Sequence, residues 1–319
     1  MPTEPETTQK KAVQHGPSRA RSGDELRENF FSLLLRSYRI AEKQGKGLAV
    51  YHSCADMVYR LCGERWAQHT IFPEESALVR RFLGEAGLAR ADADAALQLN
   101  LMANPWAFTW TQVLQELDAP RFASVCSASG EDLLRSALAQ GRGVVCAHYH
   151  TLFAPLFWTW LEHHGIAPGV LIREWVKSRP PAEAGDPKTQ ALEGARELKS
   201  SLDTLRRGGI AHVMADGYAG NRKAVLPFCN RKRGFETTFS DLALMSGAPI
   251  LTVVARFGAD GRVRIEIGPA LSNDPALDRV ARTERLLQQF LAHLHRHWLE
   301  HPADISWFQM KRHLALPPA

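Results

Sequence analysis

No CxxC pair occurs among the five cysteines, Cys54, Cys62, Cys126, Cys146 and Cys229. An odd count without paired spacing argues against a disulfide framework and against a structural zinc site, and it suits a reducing compartment. No run approaches the ~20 apolar residues that a spanning helix needs. The opening segment, "MPTEPETTQKKAVQHGPSRARSGDELRENFF", has no apolar h-region of a signal peptide. The expectation is a cytoplasmic protein, soluble or peripheral on the inner face of the cell membrane. There is no Walker sequence and no GxGxxG after a strand, so nucleotide binding has no support, and nucleic acid is not expected as a partner.

What is present is enough for a large core. The chain has 319 residues, 45% hydrophobic and 23% charged, with a formal charge of +5. That excess suits an anionic ligand, an acidic carrier protein or an anionic membrane surface, and equally serves solubility alone. Residues 1–22 read as a flexible polar tail. From 23 to 118 the spacing is helical, with Phe30, Leu33, Leu34 and Tyr38 recurring on one face. From 119 to 319 short β-rich runs alternate with helices: "RFASVC", "GVVCAHYH", "APGVLIREW", "IAHVMAD", then "ILTVVARF" and "VRIEIG" joined through Asp260-Gly261. This alternation predicts an α/β fold, a mainly parallel central sheet flanked by helices, with an antiparallel pair near the end and the helical N-terminal region packed as one unit with it. The stretch "DGYAGNRKAVLPFCNRKRGFETT" reads as a long loop between strand and helix.

"GRGVVCAHYHTLFAPLFW" carries the candidate chemistry. Side chains alternate along a strand, so His148 and His150 point the same way at the end of an apolar run, and Asp216 ends another. Ligands of α/β sheets collect beyond the carboxyl ends of strands. A His-x-His pair could instead begin a metal site with His163, His164, His212 or Asp216, although no strong metal spacing is present. The basic residues Arg222, Lys223, Arg231, Lys232 and Arg233 could grip a phosphate.

Taken in order, "NPWAFTW", "GRGVVCAHYHTLF", "LIREW", "LRRGGIAHVMADGYAG", "LPFCNRKRGFETTFSDLALMSGAPILTVVARF" and "ISWFQMKRHL" resemble the lysophospholipid acyltransferase superfamily, in particular the late acyltransferases of lipid A biosynthesis. The resemblance implies an acyltransferase that needs no cofactor and no metal. Its general base falls on His148, with His150 or Asp216 as orienting partner. Its phosphate-binding arginine falls on Arg173, its aspartate-glycine turn on Asp216 and Gly217, and its proline-aromatic segment on Pro227 and Phe228. Its terminal tryptophan and basic residues fall on Trp307, Lys311 and Arg312. The implied partners are an acyl-thioester donor, an acyl carrier protein or coenzyme A, and a small-molecule or lipid acceptor.

One element of the pattern departs. The family motif is His-x-x-x-x-Asp/Glu, but five residues beyond His148 stands Phe153, and five beyond His150 stands Pro155. The motif acid fixes the histidine tautomer and stabilises the imidazolium, which neither replacement can do. The family's anchoring N-terminal helix is also not apparent. These departures point away from lipid A and toward a specialised-metabolite pathway, with Phe153 lining the pocket. Two rival readings stand beside this one: a non-catalytic relative that binds acyl chains or their carriers, and a metal-dependent hydrolase built on His148 and His150.

Overall fold

The computed structural model describes residues 22–88, 92–172, 187–217 and 223–319. Of the expected tail, residues 1–21 lie outside the described residues, and Ser22 opens the first helix. The N-terminal half is helical: α1 (Ser22–Glu42), α2 (Gly47–Gly63), α3 (Arg65–Thr70), α4 (Pro73–Glu85) and α5 (Ala93–Gln115). The stripe that α1 buries is Phe31, Leu34 and Tyr38: Leu34 and Tyr38 are buried as expected, Phe30 is only partly buried, and Leu33 is exposed. Pro73 opens α4, with Glu74 and Glu75 in its first turn, where acidic side chains complement the helix dipole.

A short helix, α6 (Ala119–Val125), then precedes the first strand, β1 (Cys126–Ser129). "RFASVC", expected as a strand, is therefore mostly helix. Asp118 caps it by accepting from the Arg121 N–H, and Pro120 stands in its first turn. The chain continues through α7 (Glu131–Leu138), β2 (Val144–His148), α8 (Leu156–His163), β3 (Val170–Ile172), α9 (Pro187–Arg206) and β4 (Ile210–Met214). After a hairpin, β5 (Lys223–Phe228) and β6 (Arg231–Glu236), come α10 (Thr238–Ser246), β7 (Ile250–Phe257), β8 (Val263–Ala270), α11 (Arg279–Glu300) and α12 (Trp307–Leu314).

Six strands form one sheet in the order β1-β8-β7-β2-β4-β3, parallel except for the β7–β8 pair. This is the expected class, including the antiparallel pair around Asp260-Gly261. From β2 the chain passes outward to β3, returns to β4 beside β2, and then crosses to β7 on the other side of β2. The carboxyl end of β2 is thus a topological switch point, where open α/β sheets place their sites.

The expected long loop is instead largely the β5–β6 hairpin, with Phe228 opposite Arg231. Cys229 and Asn230 both have positive φ, 46° and 61°, as a two-residue hairpin turn with matching twist requires. Neither Cys-Asn nor the preceding Pro227 carries the usual Asn-Gly signature, so the turn was hidden.

The helical layer is tied to the sheet by a few polar bonds within one apolar cluster. The Trp106 Nε1–H donates to the Tyr51 hydroxyl at 3.1 Å, and that hydroxyl donates to the Gly261 carbonyl at 2.5 Å. Gly261 needs its lack of a side chain, since φ is +75° and a Cβ would stand 2.6 Å from that of Ala55.

Asp304, between α11 and α12, is 3% exposed and accepts the Phe257 N–H at 2.9 Å. Burial pushes its carboxyl up to about 7, against the pull of that hydrogen bond and of Arg256. Between the ordinary carboxylate value and about 7 the folded state holds a proton that the unfolded chain has released, so stability falls as pH rises through that window. Asp304→Asn keeps an acceptor for Phe257 and removes the ionisation. Thermal melts should show a clear gain in Tm at pH 8 and a smaller one at pH 5; equal changes at both would contradict a raised carboxyl.

Candidate active site

Strands β2 and β4 run parallel with a constant register: Val144 faces Ile210, Cys146 faces His212 and His148 faces Met214. Continued by two residues, the same register brings His150 opposite Asp216. The pairing is carried past the strand ends by the Ala215 N–H, which donates to the His148 carbonyl at 3.0 Å. One row of alternating residues therefore holds His148 on β2 and His150 just past it, beside His212 on β4 and Asp216 just past that.

The two histidines have different fates. His148 is 1% exposed, stacked on Trp158 with centroids 5.1 Å apart, and its Nε2 lies 2.8 Å from His212 Nδ1. His212 Nε2–H donates to the Pro168 carbonyl, which leaves Nδ1 as an acceptor for His148 Nε2–H. Burial holds the His148 imidazole well below its usual value, helped by His212 and His150, and holds His212 down to about 4. Both rings are neutral core groups that satisfy each other. His148, expected as the base, thus has its Nε2 committed as a donor inside the core and is not presented to an acceptor.

His150 lies just beyond β2 with its side chain 37% exposed. Its Nδ1 meets Asp216 Oδ1 at 2.5 Å, and its own backbone N–H donates to the same oxygen at 2.9 Å. Nδ1–H therefore points at the carboxylate, and the basic lone pair sits on Nε2. Asp216 is 1% exposed. Burial alone would raise its carboxyl, but the charge and hydrogen bond of His150, the Arg233 guanidinium and Gln309 outweigh it and hold it below the ordinary value.

Arg233 is fully buried on β6, its guanidinium packed over the rings of Phe228, Phe235 and Trp298 at 5.5, 4.8 and 5.3 Å. It donates to the Asp216 main-chain carbonyl and stands 4.0 Å from Oδ2. The C-terminal segment is clamped to α5. Asn100 donates to the carbonyls of Ala303 and Ile305, both at 2.9 Å, and accepts the Trp307 indole N–H at 2.9 Å. Asn104 accepts the Trp307 backbone N–H at 3.1 Å. These bonds join "NPWAFTW" to "ISWFQMKRHL" and bring Gln309 to Asp216.

Other expected site residues are placed differently. Phe153 does not line a pocket: it is 1% exposed and stacks on Phe257 at 4.6 Å, where it serves the core. Arg231 gives its guanidinium to Glu85 and to the Leu316 carbonyl, so it is not offered to a phosphate. Gly217 is buried and its N–H closes a turn onto the Met214 carbonyl at 3.2 Å. Lys223 opens β5, while Arg173 and Arg222 lie outside the described residues. His150 is not in the group of potential metal donors that forms among the described residues. Among the described residues the donors that do group are Cys146, His148 and His212, within 4.8 Å of one another, but the two facing ring nitrogens already close on each other. His164 turns to the Trp160 carbonyl, and His163 packs against Phe122.

A buried carboxylate holding a partly exposed imidazole at the switch point of a mostly parallel sheet is an arrangement that general-base transfer chemistry can use. A family model described as bacterial lipid A biosynthesis acyltransferase matches residues 97–312, and the chain belongs to that family. It is accordingly an acyltransferase, with an acyl donor and an acceptor as substrates. No curated protein matches it. Among the described residues no helix is long and apolar enough to cross a membrane.

Because Phe153 is a packed core residue, putting an acid at that motif position should restore nothing. Phe153→Glu should lower unfolding stability by at least ~3 kcal/mol, from lost packing plus a buried carboxyl. Chemical denaturation checks this, and a stable, more active variant would show that position 153 faces substrate.

Proposed function

We propose that the chain moves an acyl group from an acyl carrier protein or coenzyme A thioester to a hydroxyl or amine acceptor, with His150 as general base and Asp216 as its orienting acid. The observation that carries this reading is the pair of hydrogen bonds from His150, ring and backbone, to Asp216 Oδ1 at 2.5 and 2.9 Å. His150 Nε2 takes the acceptor's proton as its oxygen or nitrogen attacks the thioester carbonyl. The tetrahedral intermediate then collapses, the C–S bond breaks, and the departing thiolate takes the proton from the imidazolium. Asp216 stabilises that imidazolium and keeps the proton on Nδ1. The chemistry needs no metal and no redox cofactor.

Departure from the family motif supports an acceptor other than the lipid A precursor, in a specialised-metabolite pathway. Arg173, and the basic residues Arg222 and Lys223, are assigned to an anionic group of donor or acceptor. A peripheral contact with an anionic membrane surface fits the +5 charge.

Thiol release from acyl-carrier or acyl-coenzyme A donors, with the acylated product followed by mass spectrometry, tests the base. His150→Ala should remove nearly all turnover. Asp216→Asn should lower kcat by ~10²- to 10⁴-fold per folded molecule, as loss of charge beside a catalytic histidine does, and should lower Tm because it removes the charge that offsets the buried Arg233. His148→Gln should cost stability more than turnover per folded molecule. Wild-type turnover in His150→Ala would remove the assignment.

Arg173→Ala is expected to weaken binding of the anionic substrate by about 1.5 to 3 kcal/mol, the worth of a hydrogen bond to a charged group. An unchanged Kd for the donor and an unchanged KM for the acceptor would give Arg173 a structural role.

A further inference from the structure

Asp216 Oδ1 is occupied by His150, and the Arg233 guanidinium stands 4.0 Å from Oδ2, beyond hydrogen-bond distance, so the carboxylate's orientation depends on what hydrogen-bonds Oδ2. That partner comes from the far end of the chain. The Gln309 side-chain amide lies 3.2 Å from Asp216 Oδ2 and, facing a carboxylate oxygen, presents its NH₂ as donor. Gln309 is 4% exposed.

The local sequence shows why this contact is not incidental. Ser306-Trp307-Phe308-Gln309 has the spacing of a capping box, in which the serine takes the N3 backbone N–H and the N3 glutamine side chain turns back to the helix start. The first half forms: Ser306 Oγ accepts the Gln309 N–H at 3.2 Å. The side-chain amide, however, donates to a carboxylate 93 residues away in sequence. The Asn100 and Asn104 bonds to Trp307 fix the start of α12 so that it arrives there.

We propose that Gln309 is a positioning residue for acyl transfer, holding Asp216 Oδ2 so that Oδ1 stays on the His150 ring. The inference rests on His150 being the base. It gives the "ISWFQ" segment a part in the chemistry beyond packing.

The test uses Gln309→Met, which keeps length and removes the donor, beside Ser306→Ala, which removes the cap of the same helix without touching Asp216. In Gln309→Met, kcat should fall ~10-fold while KM stays within about twofold, the loss expected of one hydrogen bond to a charged group. The acid limb of its pH–rate profile should move up by roughly half a unit, because a carboxylate stripped of a donor holds the His150 proton more tightly. Ser306→Ala should lower Tm and leave both kcat and the limb in place. An unmoved limb in Gln309→Met, whether kcat is kept or lost with Tm, overturns the proposal. Should that variant not accumulate as folded protein, Gln309→Glu carries the same test: added negative charge should push the limb up by about one unit, and an unmoved limb again overturns it. His150→Ala, run in parallel, separates the two levels: retained turnover there defeats the base assignment, whereas its loss together with an unmoved limb defeats the role of Gln309 alone.

Discussion

A carboxylate that is 1% exposed must be surrounded by donors, and the site is built around meeting that demand for Asp216. Removing such a charge from water costs several kcal/mol unless it is paired and hydrogen-bonded. The donors come from three separate parts of the chain: the backbone and ring of His150 beyond β2, the guanidinium of Arg233 on β6, and the amide of Gln309 on α12. Arg233 is itself a buried cation, stabilised by three aromatic faces and by the Asp216 carbonyl. Each charge makes the burial of the other tolerable. The hairpin, the C-terminal helix and the central strands are thereby linked through one residue.

Strand register decides which histidine meets the acid. With β2 and β4 offset so that Val144 faces Ile210, His150 falls level with Asp216, and His148 falls diagonally across from His212. One additional factor separates their chemistry. His148 lies under Trp158 and Phe157 of α8, where desolvation keeps an imidazole neutral, while His150 has passed the strand end and is partly open to solvent. Two like residues, two apart, so become a core hydrogen-bond partner and a candidate base.

The fold class was legible because buried parallel strands read as apolar runs between helical spacings, as "GVVCAHYH" and "IAHVMAD" do. The histidine pair and Asp216 were legible as strand-end residues. Their pairing was not, because periodicity along one strand carries no information about its offset against another, and assigning the base by motif alone favoured His148. The β5–β6 hairpin was missed because Cys229-Asn230 lacks the glycine that usually marks such a turn. Arg231 looked available to an anion because charge clusters in sequence do not reveal an ion pair with Glu85, which is far away along the chain. Gln309 did carry a signal, the capping-box spacing, but that signal speaks to helix starts and not to where the amide then reaches.

The same geometry accounts for how the chain does without the motif acid. In the family pattern the acid follows the histidine by five residues, so one loop must deliver both groups. Here that loop is given over to packing: Phe153 stacks on Phe257, and Pro155 leads into α8. On the proposed reading the acid comes instead from the neighbouring strand, where parallel pairing holds it level with His150 as reliably as a short loop would. What a base requires of its partner is a charge at the right nitrogen and a fixed angle, not a position in sequence. A parallel sheet offers that at the carboxyl end of every adjacent strand, which is why the contact between His150 and Asp216 stands although Phe153 has given the motif position to the core.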